Sequence, residues 1–165
     1  MTALTLLGDL KEEIEVLLKD VVTKNTAGEP VTGVKGYEYR LPIIVSDEED
    51  ESQFFPYFIV KPLEGKTEDD DDPWLVTVDI LLGICENDKD VLGQKHILVM
   101  IQRIVDRFAA EPLLNKKYRA EQKMEWAVQD EDTYPFYFGG VEIKFRVPKL
   151  SLIHISEPTR LRCIS

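Results

Sequence analysis

Trp74-Leu-Val-Thr-Val-Asp-Ile-Leu-Leu-Gly-Ile-Cys85 is the most apolar stretch of the chain, and the architecture is read from it. Val76, Val78, Ile80, Leu82 and Ile84 alternate with Thr77, Asp79, Leu81, Gly83 and Cys85. A period of two puts successive side chains on opposite faces of a strand. Both sets are largely apolar, which suits a strand in the middle of a sheet.

Toward the N-terminus, residues 54–60 are rich in aromatic and β-branched side chains and predict a second strand, ended by Lys61-Pro62. Tyr37, Tyr39, Leu41, Ile43 and Val45 alternate over residues 37–45 and predict another, with Pro42 better suited to an edge or a bulge. Leu6, Leu7, Leu10, Ile14, Leu17, Leu18 and Val21 recur at steps of three and four, the pattern of an amphipathic helix, with an end expected near residues 25–28. Toward the C-terminus, a polar connection over residues 86–93 leads into a second helix. Ile97, Ile101, Ile104, Val105 and Phe108 define one face of it, and it is expected to stop before Glu111-Pro112. Residues 118–128 predict a strand through Met124, Trp126 and Val128. The last strand covers residues 136–148, with Val141, Ile143, Phe145 and Val147 on one face and Glu142, Lys144 and Arg146 on the other. The order α-β-β-β-α-β-β predicts an α+β domain, with two helices packed on one face of a largely antiparallel sheet of about five strands.

Residues 150–165 read differently. Back-translated, residues 150–160 match without a mismatch the transposase end and adapter used to prepare sequencing libraries, and residues 161–165 fit the index and adapter bases that follow. This tail resembles a translated adapter and is expected to add nothing to the fold. The domain is therefore residues 1–149, enough for one core that removes roughly 70% of the unfolded surface from water.

The formal net charge of −11 is local. Asp47, Glu48, Glu49, Asp50 and Glu51 form one acidic run; Glu68, Asp69, Asp70, Asp71 and Asp72 form a second, with Glu64 shortly before it. Those eleven carboxylates equal the whole net charge, so the body is about neutral. Duplex binding needs Lys and Arg to displace counterions from phosphates, so specific nucleic-acid binding is not expected. Neither run has the spaced ligands and glycine of a calcium loop. No apolar run approaches the roughly 18 residues of a membrane span, and no membrane association is expected.

Little in the chain suggests catalysis. Residues 1–149 hold one histidine, His96, expected at the surface or at a helix start, and one cysteine, Cys85, expected as a small buried hydrophobe. No disulfide, metal site or cofactor is expected within them. Gly139-Gly140 lacks the spacing and lysine of a phosphate loop. Asp79 with Glu142-Ile143-Lys144 matches the acid and Glu-x-Lys arrangement of metal-dependent nucleases, but Glu142, Lys144 and Arg146 are equally the polar half of an alternating strand.

Three segments together carry a resemblance: residues 74–84, the helix over residues 96–112, and Tyr134-Pro-Phe-Tyr-Phe-Gly-Gly140 leading into Val-Glu-Ile-Lys-Phe-Arg-Val-Pro148. This series resembles the tail-terminator proteins of long-tailed bacteriophages and prophages, the lambda-type tail completion group, over residues 1–149. The resemblance implies a non-enzymatic structural protein that closes into a homo-oligomeric ring of about six subunits. Such a ring caps the tail tube at full length and offers the head-joining surface. The implied partners are further copies of the chain, the tail tube protein and the head–tail connector. The implied location is the host bacterial cytoplasm during assembly and then the virion tail. A neck or head-completion protein is the alternative.

Two sets of residues are candidates for a role in such a ring. Tyr134, Phe136, Tyr137 and Phe138 are expected as exposed aromatics at an assembly interface, where aromatic side chains are enriched. The two acidic runs are expected to face the channel and keep passing DNA from adhering.

Overall fold

The computed structural model describes residues 2–149. The adapter-like tail lies outside the described residues. Helix α1 (Ala3–Leu17) starts at Thr2, whose hydroxyl accepts from the Thr5 N–H while the Thr5 hydroxyl accepts from the Thr2 N–H. This reciprocal cap satisfies two amide donors that a helix start leaves without partners. The helix buries Leu6, Leu7, Leu10 and Ile14. Leu18 and Val21 are also buried, but the helix has already ended at Leu17. The expected end near residues 25–28 is thus corrected: Val22 and Thr23 are β-branched and favour extended backbone. They belong to β1 (Val22–Lys24), which pairs antiparallel with β2 (Pro30–Thr32). The Asn25 side chain holds the intervening turn by accepting from the Ala27 and Glu29 N–H groups.

Among the described residues the main sheet has seven strands, two more than expected. They are β3 (Lys35–Glu38), β4 (Tyr57–Lys66), β5 (Trp74–Cys85), β6 (Leu113–Leu114), β7 (Tyr118–Ala120), β8 (Glu125–Val128) and β9 (Phe136–Val147). Their order is β3-β4-β5-β9-β7-β6, with β8 also on β9. Only β3 with β4 is parallel. Helix α2 (Gly93–Ala110) joins β5 to β6.

Both helices pack on one face, and the class is α+β as expected. That face carries Val76, Val78, Ile80, Leu82 and Ile84 of β5 beside Phe145, Ile143, Val141, Gly139 and Tyr137 of β9. These side chains, apart from the glycine, form a single buried cluster with Leu6, Leu10 and Ile14 of α1 and Ile97, Met100, Ile101, Ile104 and Phe108 of α2. Each such buried Leu or Ile contributes roughly 1.5–3 kcal/mol, so packing on the sheet holds the helices. Arg107 also reaches from α2 to Glu13 of α1 at 2.6 Å. No helix among the described residues is long and apolar enough to cross a membrane.

Three strand expectations are corrected. The alternation over residues 37–45 yields only β3, because Tyr39 turns into the left-handed region (φ 70) and Pro42 has no N–H to donate. Residues 40–45 are a loop without regular structure. The strand expected to end at Lys61-Pro62 runs on to Lys66. Beyond Val60 it has β5 as its only neighbour, so proline is tolerated, and the register shifts between Pro62 and Glu64. The strand expected over residues 118–128 is two strands. Ala120 and Glu125 are five positions apart, yet their partners Phe145 and Glu142 on β9 are three apart. The two surplus residues leave the ladder, as in an enlarged bulge.

Candidate functional site

The face of the sheet turned away from the helices is banded along the strands. Phe136 and Phe138 of β9 and Tyr57 of β4 occupy one end, and Phe55, just before β4, folds over them. Its ring centroid lies 4.7 Å from Phe136, 4.9 Å from Tyr57 and 5.9 Å from Phe138. Gly83 makes room for this cluster, since a Cβ there would lie 2.5 Å from the Tyr57 ring. Next come Leu81, Gly140 and Ala127, side by side on β5, β9 and β8.

One row further, Lys61, Asp79, Glu142 and Glu125 stand abreast on β4, β5, β9 and β8. Thr77 beside Lys144, then Leu75 beside Arg146 and Arg119, complete the face. Arg146 is held by Glu121 at 2.9 Å.

The middle bands form a trough of about 830 Å³. Its floor is Leu81, Phe138, Gly140 and Ala127; its charged end is Asp79, Glu142 and Glu125. Burial pushes the Asp79 carboxyl above the ordinary carboxylate range, with Lys61 opposing the shift. None of the three carboxylates has an ion-pair partner among the described residues. The nuclease-like grouping is brought together in part: Asp79 faces Glu142, and Lys144 projects from the same face one row on. No three of the described Asp, Glu, His and Cys residues are grouped so as to hold a metal ion.

The four candidate interface aromatics do not act as one patch. Phe136 and Phe138 lie half-buried beneath Phe55. Tyr134 is exposed at the sheet end, where its hydroxyl donates to the Asn87 carbonyl at 2.5 Å. Tyr137 corrects the expectation of exposure. It is buried on the helix side against Gly93, where a Cβ would lie 2.0 Å from its ring.

The acidic runs are likewise apart. Residues 47–50 lie in the loop ahead of a 3-10 turn (Glu51–Phe54) that Glu51 begins, and Asp50 caps it by accepting from the Ser52 N–H at 2.9 Å. That bonding with Ser52 holds the Asp50 carboxyl below its usual range. Residues 68–72 form the turn between β4 and β5, where the Lys149 ammonium donates to the Asp69 carbonyl at 2.6 Å. The ten residues of β4 separate the two runs by roughly 30 Å at the usual rise per strand residue.

Two features escape the sequence reading. His96 is half-buried, and its Nε2 lies 2.9 Å from the carboxylate of Glu86, which is 3% exposed. The segment Leu41-Pro-Ile-Ile-Val45 is an apolar arm in the loop, with Ile43 65% and Val45 92% exposed. Its visible signal was Pro42 inside an apolar run that leads into an acidic one. Cys85 is buried as expected, and burial pushes its thiol pKa up. No protein-family model matches the chain, and no curated protein is significantly similar to it.

Proposed function

We propose that this chain is a structural subunit that closes head-to-tail into a ring and caps the tail tube of a bacteriophage. The reading starts from the resemblance over β5, α2 and β9, which pack here as one contiguous unit. The observation that carries it is the pair of unlike open flanks on the main sheet. On one side β3 is an edge strand; on the other β6 ends the order beyond β7, and β8 pairs with β9 alone. Open edges are surfaces that natural proteins cover or use, and two different flanks that fit each other generate a ring when the rotation between subunits closes. An axis running along the strands would give the ring two distinct ends, one for the tube and one for the head connector. The acidic runs, at opposite ends of β4, would then form a negative collar at each mouth.

Electron microscopy of the purified chain mixed with tail tubes tests the assignment. Binding is expected at tube ends, with shorter and more uniform tubes when the chain is present during assembly. Decoration along the tube walls, or an unaltered length distribution, would overturn it in favour of a neck or head-completion protein.

A further inference from the structure

The trough on the helix-free face and the arm at residues 41–45 complement each other but lie toward opposite flanks of the same sheet. The trough opens beside β8, beyond β9. The arm leaves from β3, beyond β4. Resting on the ring reading, we infer that the arm of one subunit seats in the trough of the next, with Arg40 on the Asp79, Glu142 and Glu125 row and the apolar arm on Leu81, Gly140 and Phe138.

Charge supports this occupant. Arg40 is exposed and makes no ion pair among the described residues. The trough offers three carboxylates in one row, none of them in an ion pair among the described residues and with Lys61 the one cation at the row's β4 end, an arrangement that takes a guanidinium bidentately. Beyond that row its floor is apolar. The arm has the same order: one cation, then Leu41, Ile43, Ile44 and Val45.

The levels also match. Glu38 stands beside Val60, and the Tyr39 N–H donates to the Val60 carbonyl. Continued by one residue, that register puts Tyr39 at the row of Lys61, which is the row of Asp79, Glu142 and Glu125, and Arg40, whose N–H donates to the Glu38 carbonyl, leaves the sheet within one residue of it. The chain then returns toward the start of β4, the end at which Phe138 lies. Rotation about an axis along the strands keeps every atom at its own height. Each Arg40 would thus lie within one residue of the level of its neighbour's acidic row, and an arm running back toward the start of β4 would pass at the level of its neighbour's apolar floor. Five extended residues span roughly 17 Å, and the two row steps from Glu142 to Phe138 take up roughly 14 Å.

The test uses the full chain with a photo-cross-linking amino acid at Ile43, in mixtures of isotopically light and heavy protein, with and without tail tubes. Mass spectrometry identifies the partner peptide. Intermolecular linkage to residues 124–129 or 138–142 is expected. Arg40→Glu and Glu125→Arg, both at exposed positions, should each lower its yield about tenfold, the size of a lost charge contact near 1.4 kcal/mol. The combined variant should regain it. Linkage elsewhere, linkage only within one chain, no linkage at all, or indifference to Arg40→Glu overturns the inference. Binding at tube ends without trough linkage leaves the terminator reading standing alone. Trough linkage without a preference for tube ends leaves the arm contact standing and removes that reading.

Discussion

Glu86 and His96 meet at 2.9 Å across the connection between β5 and α2, and the second carboxylate oxygen of Glu86 accepts from the Asp88 N–H at 3.2 Å. The carboxylate is almost wholly shielded from solvent. Removing the imidazole leaves one of its two buried oxygens without a partner. His96→Ala should therefore destabilise the fold by about 1–3 kcal/mol in urea unfolding. Glu86→Gln in the same background should recover part of the loss. Equal midpoints for His96→Ala and the wild type would show that the pair contributes nothing.

Thr23, on β1, is 1% exposed, and its hydroxyl has no hydrogen-bond partner among the described residues. Valine keeps the branched shape and strand preference without the unpaired oxygen. Thr23→Val should stabilise by about 1 kcal/mol and raise the melting temperature by a few degrees. A lower melting temperature would contradict the absence of a partner.

Two glycines should respond in opposite directions to the same added methyl. At Gly93 a Cβ would lie 2.0 Å from the Tyr137 ring, so Gly93→Ala must displace α2 or β9 and should cost about 2 kcal/mol or more. At Gly8, inside α1, nothing lies within 4 Å, and Gly8→Ala should gain roughly 0.5–1 kcal/mol from helix propensity. Chemical denaturation of the two variants compares them directly.

Asp79 has a pKa raised above 3.8 by burial, so the folded state holds its proton more tightly than the unfolded state does. A raised carboxyl pKa gives stability that is present below the unfolded value and lost as pH climbs from 3.8 to the raised value. Asp79→Asn should melt higher than the wild type at pH 7, and the gap should close near pH 3.5. A gap that widens toward low pH would mean Asp79 is stabilised as an anion.

The acidic runs are exposed turns with local hydrogen bonds. Replacing residues 47–51 and 68–72 with Gly and Ser should change the monomer's stability by no more than about 0.5 kcal/mol. It should nonetheless slow DNA passage and lower infectivity. An unaltered titre from intact rings would remove the proposed collar role.

β5, α2 and β9 were legible because their signals are local: alternation, a helical stripe, and polar or proline residues at the ends. The grouping of Asp79 with Glu142 and Lys144 was also legible, since each lies on the polar side of a regular strand. Glu125 was not. Its place in the same row depends on the two residues that leave the ladder between β7 and β8, and no count along the chain reveals which residues those are. The arm failed for a different reason. Leu41, Ile43 and Val45 keep a strand's alternation, but the left-handed turn at Tyr39 takes the chain off the sheet. Of the apolar side chains that mimic a strand, Ile43 and Val45 are left exposed. His96 was read as a surface residue or one at a helix start, and it does lie in the first turn of α2; its contact with Glu86 was not legible because the two are ten residues apart, across the polar connection.

The β5–β9 seam has a mechanical consequence. All twelve residues of β5 face a residue of β9, without a break in register. In an antiparallel pair the hydrogen bonds lie perpendicular to the strands. A force along the strands would therefore load every rung in shear at once, whereas a sideways force would peel them one by one. If the proposed ring sets its strands along the tail axis, tension on each subunit would act in the seam's stiffer direction.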